Sequence, residues 1–150
     1  MTTTSRLTVR VAPSLPGIRA AADAFDTFQT DHGLSQAAGW PVQVALDEIL
    51  SNIVRHGSAG SEDRFIEAIF ALVDGSLQLT IVDDGLDLDP LTLPDPDLTV
   101  PLEDRRPGGL GIHLVKHLCD RVAYTRSDGR NHLVLTFRGP GTEQPEREKG

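Results

Sequence analysis

Cysteine occurs once, at Cys119, so no internal disulfide can form and no thiolate cluster can hold a metal. No apolar run is long enough to cross a bilayer, and the opening MTTTSRLTVRV has no apolar stretch of the secretory kind. Cationic side chains are scarce: 14 Lys and Arg stand against 22 Asp and Glu, a formal net charge of −8. Nucleic acids and anionic membranes are gripped through Lys and Arg, so direct binding to either is not expected. There is no internal repeat. What these absences leave is a cytoplasmic globular protein, its 150 residues forming one domain with enough length for a real core.

Several segments carry clear periodicity. Leu7, Val9 and Val11 alternate with polar residues and predict a short strand. Leu15, Ile18, Ala22, Phe25 and Phe28 recur at helical spacing and predict a first helix over residues 15–31. Pro41 suits the first turn of a second helix, which runs to His56 and stops at Gly57. Two apolar runs flank Asp74-Gly75 and two more flank Asp128-Gly129, each a hairpin signal. Between the hairpins, residues 86–107 hold five prolines and six acidic residues, which neither a helix nor a central strand tolerates. A stretch of that kind is expected to be a lid. It ends in Gly108-Gly109-Leu110-Gly111, which opens a third helix. Gly111, Leu114, Val115 and Leu118 are expected to be its buried face, with His113, Lys116, His117 and Asp120 outward. Residues 139–150 are polar and rich in Pro and Gly, and read as a disordered tail to a domain of residues 1–138. Strands gathered in hairpins beside helices predict an α+β fold: a two-layer sandwich with a mixed, mostly antiparallel sheet and its helices on one face.

Three stretches carry chemistry. In ALDEILSNIVRHG the centre of the apolar stripe is Val42, Leu46, Ile49 and Ile53, and Glu48 and Asn52 lie together roughly 80–120° from it. A carboxylate at the border of a buried face can take a proton, and a carboxamide oxygen is a hard ligand suited to Mg²⁺. Spacing alone favours the simpler reading, a solvated Glu48 and an Asn52 that only flanks the core. In TIVDDG, Asp83 ends a strand where it can accept from a ligand amine, and Gly85 lets the backbone approach a flat ring; the same residues also make good turn chemistry. In RRPGGLGIHLVK, glycines before a helix expose amides suited to phosphates, and Arg105 and Arg106 stand beside them. It is neither a dinucleotide fingerprint, lacking the third glycine, nor a P-loop, lacking Gly-Lys-Ser/Thr. An exposed arginine pair balancing an acidic lid is the more frequent arrangement. His113 and His117, spaced i, i+4, lack the carboxylate pattern of a zinc helix and read as two exposed histidines. His56 reads as a cap on its helix dipole, and Cys119 as a small core residue.

Taken together and in this order, the three boxes resemble the ATP-binding (Bergerat-type) fold shared by gyrase, Hsp90, histidine kinases and MutL. Within it, DEILSNIVRHG, IVDDG and GGLGIHLVKHLCDRVAY look most like the anti-sigma factor serine/threonine kinases of bacterial partner-switching systems. The resemblance implies a Mg²⁺-dependent ATP pocket. Glu48 would be the general base, Asn52 the Mg²⁺ ligand and Asp83, with Gly85, the adenine site. Gly108, Gly109, Leu110 and Gly111, with Arg105 or Arg106, would hold the phosphates. It further implies a homodimer whose partners are a sigma factor and an anti-sigma factor antagonist, the latter phosphorylated on Ser or Thr. Where many relatives carry a second glycine, this chain has Asp87. A module that binds ATP without transferring phosphate, or that has lost ATP, is the alternative.

Overall fold

In the computed structural model, the described residues are 4–57, 64–85 and 109–138. The chain runs β1 (Thr4–Val11), α1 (Leu15–Asp31), α2 (Gln36–Asn52), a π-helical turn (Ile53–Gly57), β2 (Ile66–Val73), β3 (Ser76–Asp83), α3 (Gly109–Leu118), β4 (Arg121–Ser127) and β5 (Arg130–Phe137). The five strands form one sheet in the order β1-β2-β3-β5-β4. Every pairing among the described residues is antiparallel, so the expected α+β sandwich stands while the mixed character of its sheet does not.

Both predicted hairpins close on two-residue turns with positive φ at each position: Asp74 at 52° and Gly75 at 83°, Asp128 at 55° and Gly129 at 73°. That geometry matches the right-handed twist of the flanking strands, and a short polar residue followed by glycine adopts it at least cost. The turns fix the register. Asp83, at the last position of β3, therefore lies opposite Ile66 on one side and Asn131 on the other.

One face of the sheet receives the helices. Phe25 and Phe28 of α1 meet Phe70 of β2, with centroids 5.2 and 6.2 Å away, and Leu46 and Leu50 of α2 join Leu79, Ile81 and Leu135 in the same core. Each such side chain contributes roughly 1.5–3 kcal/mol on burial. This layer holds α2 against β3 and α3 against α2.

The helix starts show where local signals compete. α1 covers the predicted residues, with Ser14 as N-cap accepting from the Gly17 amide at 3.1 Å. α2 begins five residues before Pro41, capped by Ser35, which accepts from the Ala38 amide at 3.1 Å. Pro41 lies inside the helix rather than in its first turn. A cap hydroxyl satisfies the orphan amides, whereas proline only lacks one, so the serine sets the boundary. Gln29, buried on α1, donates to the carbonyls of Leu34 and Ser35 and so ties the connection between the two helices. At the other end α2 stops at Asn52 and passes into the π-helical turn, shorter than the helix to His56 read from sequence.

In α3, Val115 is buried as expected, but Leu114 is 41% exposed and His113 is half-buried. Packing against α2 rotates the helix away from the face that apolar spacing alone suggests. Among the described residues no helix is long and apolar enough to cross a membrane. The segment read as a lid and the tail from residue 139 onward lie outside the described residues.

Candidate functional site

Apart from Gln29, which ties α1 to α2, the buried polar side chains among the described residues gather in two groups. The first belongs to α2. Val42, Leu46 and Ile49 are buried, Glu48 is half-buried beside them, and Asn52, one turn on, is only 8% exposed. The expected border position of both side chains is therefore what the fold produces. Asn52 Oδ1 accepts from the Arg55 guanidinium at 3.0 Å, and Arg55 is carried by the π-helical turn. Asn52 Nδ2 is buried and meets no acceptor among the described residues. An unmet buried amide costs about 1–3 kcal/mol, so it marks a place where the interior is incomplete without something else.

Glu48 leads directly to α3. A Cβ placed on Gly111 would stand 1.8 Å from Glu48 Oε1, so glycine here lets the third helix lie against the carboxylate as it is oriented, and a larger residue would make the Glu48 side chain swing aside. Two motifs far apart in the chain thus meet at one contact. Gly109 and Leu110 form the first residues of α3, just before it. Arg105, Arg106 and Gly108, and the side chain of Leu110, lie outside the described residues, as does the side chain of His56.

The second group is on the sheet. Asp83 is 6% exposed; its Oδ2 accepts from the Gly85 amide at 2.9 Å, and both its oxygens lie 3.4 Å from Asn131 Nδ2. Burial pushes the Asp83 carboxyl above the ordinary aspartate range, while the Gly85 amide, Asn131 and the Arg64 charge oppose that rise and Asp84 adds to it. Gly85 itself is buried. The neighbouring carboxylate behaves differently. Asp84 accepts from Arg64 Nε and the Phe65 amide, both at 3.3 Å, so it anchors the start of β2. Of the two aspartates in IVDDG, one faces the helices and the other holds the backbone.

Asn131, buried to 6% exposure, went unread in the sequence. Its Oδ1 accepts from the Tyr124 hydroxyl at 2.6 Å and from Arg126 at 2.9 Å, and Arg126 also donates to the Gly85 carbonyl at 3.1 Å. A signal did exist: Asn131, Leu133, Leu135 and Phe137 alternate along β5, and a carboxamide opens an otherwise apolar row.

Other candidates have structural accounts. His117 Nδ1 lies 2.9 Å from the His113 carbonyl, and the two rings are 4.5 Å apart. No group of three His, Cys, Asp or Glu suited to a metal occurs among the described residues. Cys119 packs beside the core, where burial pushes its thiol up and away from reactivity.

Comparison with known proteins bears on this arrangement. The model of the histidine kinase-like ATPase domain matches residues 11–137. The chain is 37% identical over 93 residues to the serine/threonine-protein kinase BtrW of Bordetella bronchiseptica, a match covering 62% of this chain and 66% of that protein. It is 29% identical over 109 residues to the serine-protein kinase RsbW of Listeria monocytogenes, covering 70% and 69%. The chain therefore spans about two thirds of the length of these curated relatives. A solved structure holding the RsbU and RsbW domains of a Mycobacterium tuberculosis protein shares the fold, with a TM-score of 0.62 at 17% identity over 90% of this chain and 32% of that one. The resemblance to the anti-sigma kinases read from the three boxes agrees with these relatives. This chain belongs to the histidine kinase-like ATPase domain family.

Proposed function

We propose that this protein binds Mg·ATP and phosphorylates a serine or threonine of an anti-sigma factor antagonist, holding a sigma factor when that antagonist is not engaged. The observation that carries the reading is the contact of Gly111 with Glu48, which sets a carboxylate against the first turn of α3. Family membership and the relatives named as serine kinases support it.

On this reading Asp83 accepts from the amino group of adenine, with Gly85 beside the ring. Gly108, Gly109, Leu110 and Gly111 offer backbone amides to the phosphates, assisted by Arg105 or Arg106. The donor set fits Mg²⁺ at Asn52: a carboxamide oxygen is a hard ligand with two lone pairs, and Arg55 occupies one of them. The ion would neutralise phosphate charge, and the side chain's unmet Nδ2 marks a place left for a ligand. Glu48 receives the proton of the partner's hydroxyl as that oxygen bonds to the γ-phosphorus and the bond to the β–γ bridging oxygen breaks, releasing ADP. Residues 1–138 would act as one such domain, with 86–107 as its lid and 139–150 as a tail. The homodimer would pair through the sheet face turned from the helices, where Ile69 and Val134 are half-buried. We assign the protein to the cytoplasm, where these partners would be met.

Calorimetric titration of Mg·ATP into wild type and Asp83→Asn tests the pocket. Saturable binding that weakens by about tenfold or more in the variant is expected, the size of a lost hydrogen bond to a charged group. Absence of heat at millimolar ATP would overturn the reading. Binding without transfer to the antagonist would leave a nucleotide-binding interaction module.

A further inference from the structure

The edge strand β4 sends two polar side chains into the site although it bears none of the three motifs. Tyr124 and Arg126 both donate to Asn131 Oδ1, at 2.6 and 2.9 Å. A carboxamide with two donors on its oxygen has one orientation left for its amino group, and here that group faces the Asp83 carboxylate. Reversed, the amide would set its oxygen against a carboxylate and its NH₂ against a guanidinium and a hydroxyl. Arg126 adds a second tie, to the Gly85 carbonyl, so one guanidinium clamps both Asn131 and the backbone just beyond Asp83.

We propose that Arg126 and Tyr124 are positioning residues that lock the Asn131 carboxamide with its amino group on Asp83, and so keep Asp83 a hydrogen-bond acceptor. The proposal rests on the nucleotide reading for its consequence: an acceptor at Asp83 welcomes a 6-amino purine and repels a 6-oxo purine. Base selectivity is thereby assigned in part to an edge strand that never meets the base. The charged groups acting on Asp83 are Arg64 before β2, Asp84 beside it, and Arg126 working through Asn131.

Two measurements test this on the full chain. In the first, Mg·ATP and Mg·inosine triphosphate are titrated into wild type, Arg126→Ala and Tyr124→Phe. Arg126→Ala is expected to weaken ATP by about tenfold and inosine triphosphate less, narrowing the ratio between them, with Tyr124→Phe shifting it less in the same direction. An unchanged ratio in a folded Arg126→Ala protein overturns the proposal. The second needs no nucleotide. The Asp83 carboxyl carbon is followed by NMR against pH, and its midpoint is expected to rise in Arg126→Ala, because a freed amide no longer favours the carboxylate. A midpoint equal to wild type, even with a lowered melting temperature, reduces Arg126 to a structural tie and overturns the proposal. If wild type binds neither nucleotide, the ATP reading falls while the carboxyl titration still decides the role of Arg126.

Discussion

The two polar groups beneath the helices are built to opposite standards. At the sheet end, Asp83 is held by a backbone amide and a carboxamide, and that carboxamide is itself held by a tyrosine and an arginine. At the helix end, Asn52 leaves a buried amino group without an acceptor among the described residues, and the Glu48 carboxylate lies in space left by the missing side chain of Gly111. The first is a finished network, which rigidifies a site. The second, on the proposed reading, is left for a ligand to complete. A pocket that recognises a flat, chemically constant base gains from rigidity. One that handles a metal ion, phosphates and an incoming hydroxyl needs groups whose partners change during the reaction.

Substitutions can break this contrast one side at a time. Glu48→Gln touches only the helix end. It is expected to cut phosphoryl transfer to the antagonist by about 10²–10⁴-fold while leaving the ATP dissociation constant near wild type, read by radiolabel transfer and calorimetry on the same preparation. Loss of binding in parallel would mean that the carboxylate shapes the pocket instead of taking a proton. A paired comparison of asparagines comes next. Asn131→Leu leaves a buried carboxylate, a tyrosine hydroxyl and a guanidinium short of a partner, and is expected to lower unfolding free energy by about 1–3 kcal/mol in denaturant titration. Asn52→Leu removes a buried amino group that is unmet among the described residues together with one bond from the exposed Arg55, and is expected to cost less than Asn131→Leu by the same measurement. Equal destabilisation would erase the distinction between the two ends.

The smallest effect is in pH. Burial raises the Asp83 carboxyl above the ordinary aspartate value of 3.8, so the folded chain binds more protons than the unfolded one between that value and the folded midpoint. Stability from this group is present below the window and falls as pH rises through it. Asp83→Asn has no such titration. The melting temperature of the variant minus that of wild type should therefore grow more positive from below pH 3.8 toward neutrality. A flat difference would show that the partners of Asp83 fully offset its burial.

The contrast also explains what could be read from the chain alone. Both hairpins, the span of α1 and the border position of Glu48 and Asn52 follow from signals within a dozen residues, where periodicity and turn chemistry dominate. The start of α2 did not, because the serine that caps it lies upstream of a proline that looks like a helix opener. Leu114 was misplaced because the packing of α3 on α2 decides its face. The network around Asp83 joins β3, β4 and β5, and a single-sequence reading has no means to register Arg126 against Gly85, 41 residues away. What is legible is what local sequence writes. The unread part of the site is the part that tertiary pairing assembles.

A hydrogen atom is all that separates the α carbon of Gly111 from the space of the Glu48 carboxylate. The direction Glu48 takes therefore depends on a bare α carbon in α3. Under the proposed reading the phosphates rest on the first turn of α3, so their seat and the base adjoin at one residue. The consequence, on that reading, is that a side chain introduced at residue 111 would disturb the seat of the phosphates and the direction of the carboxylate together.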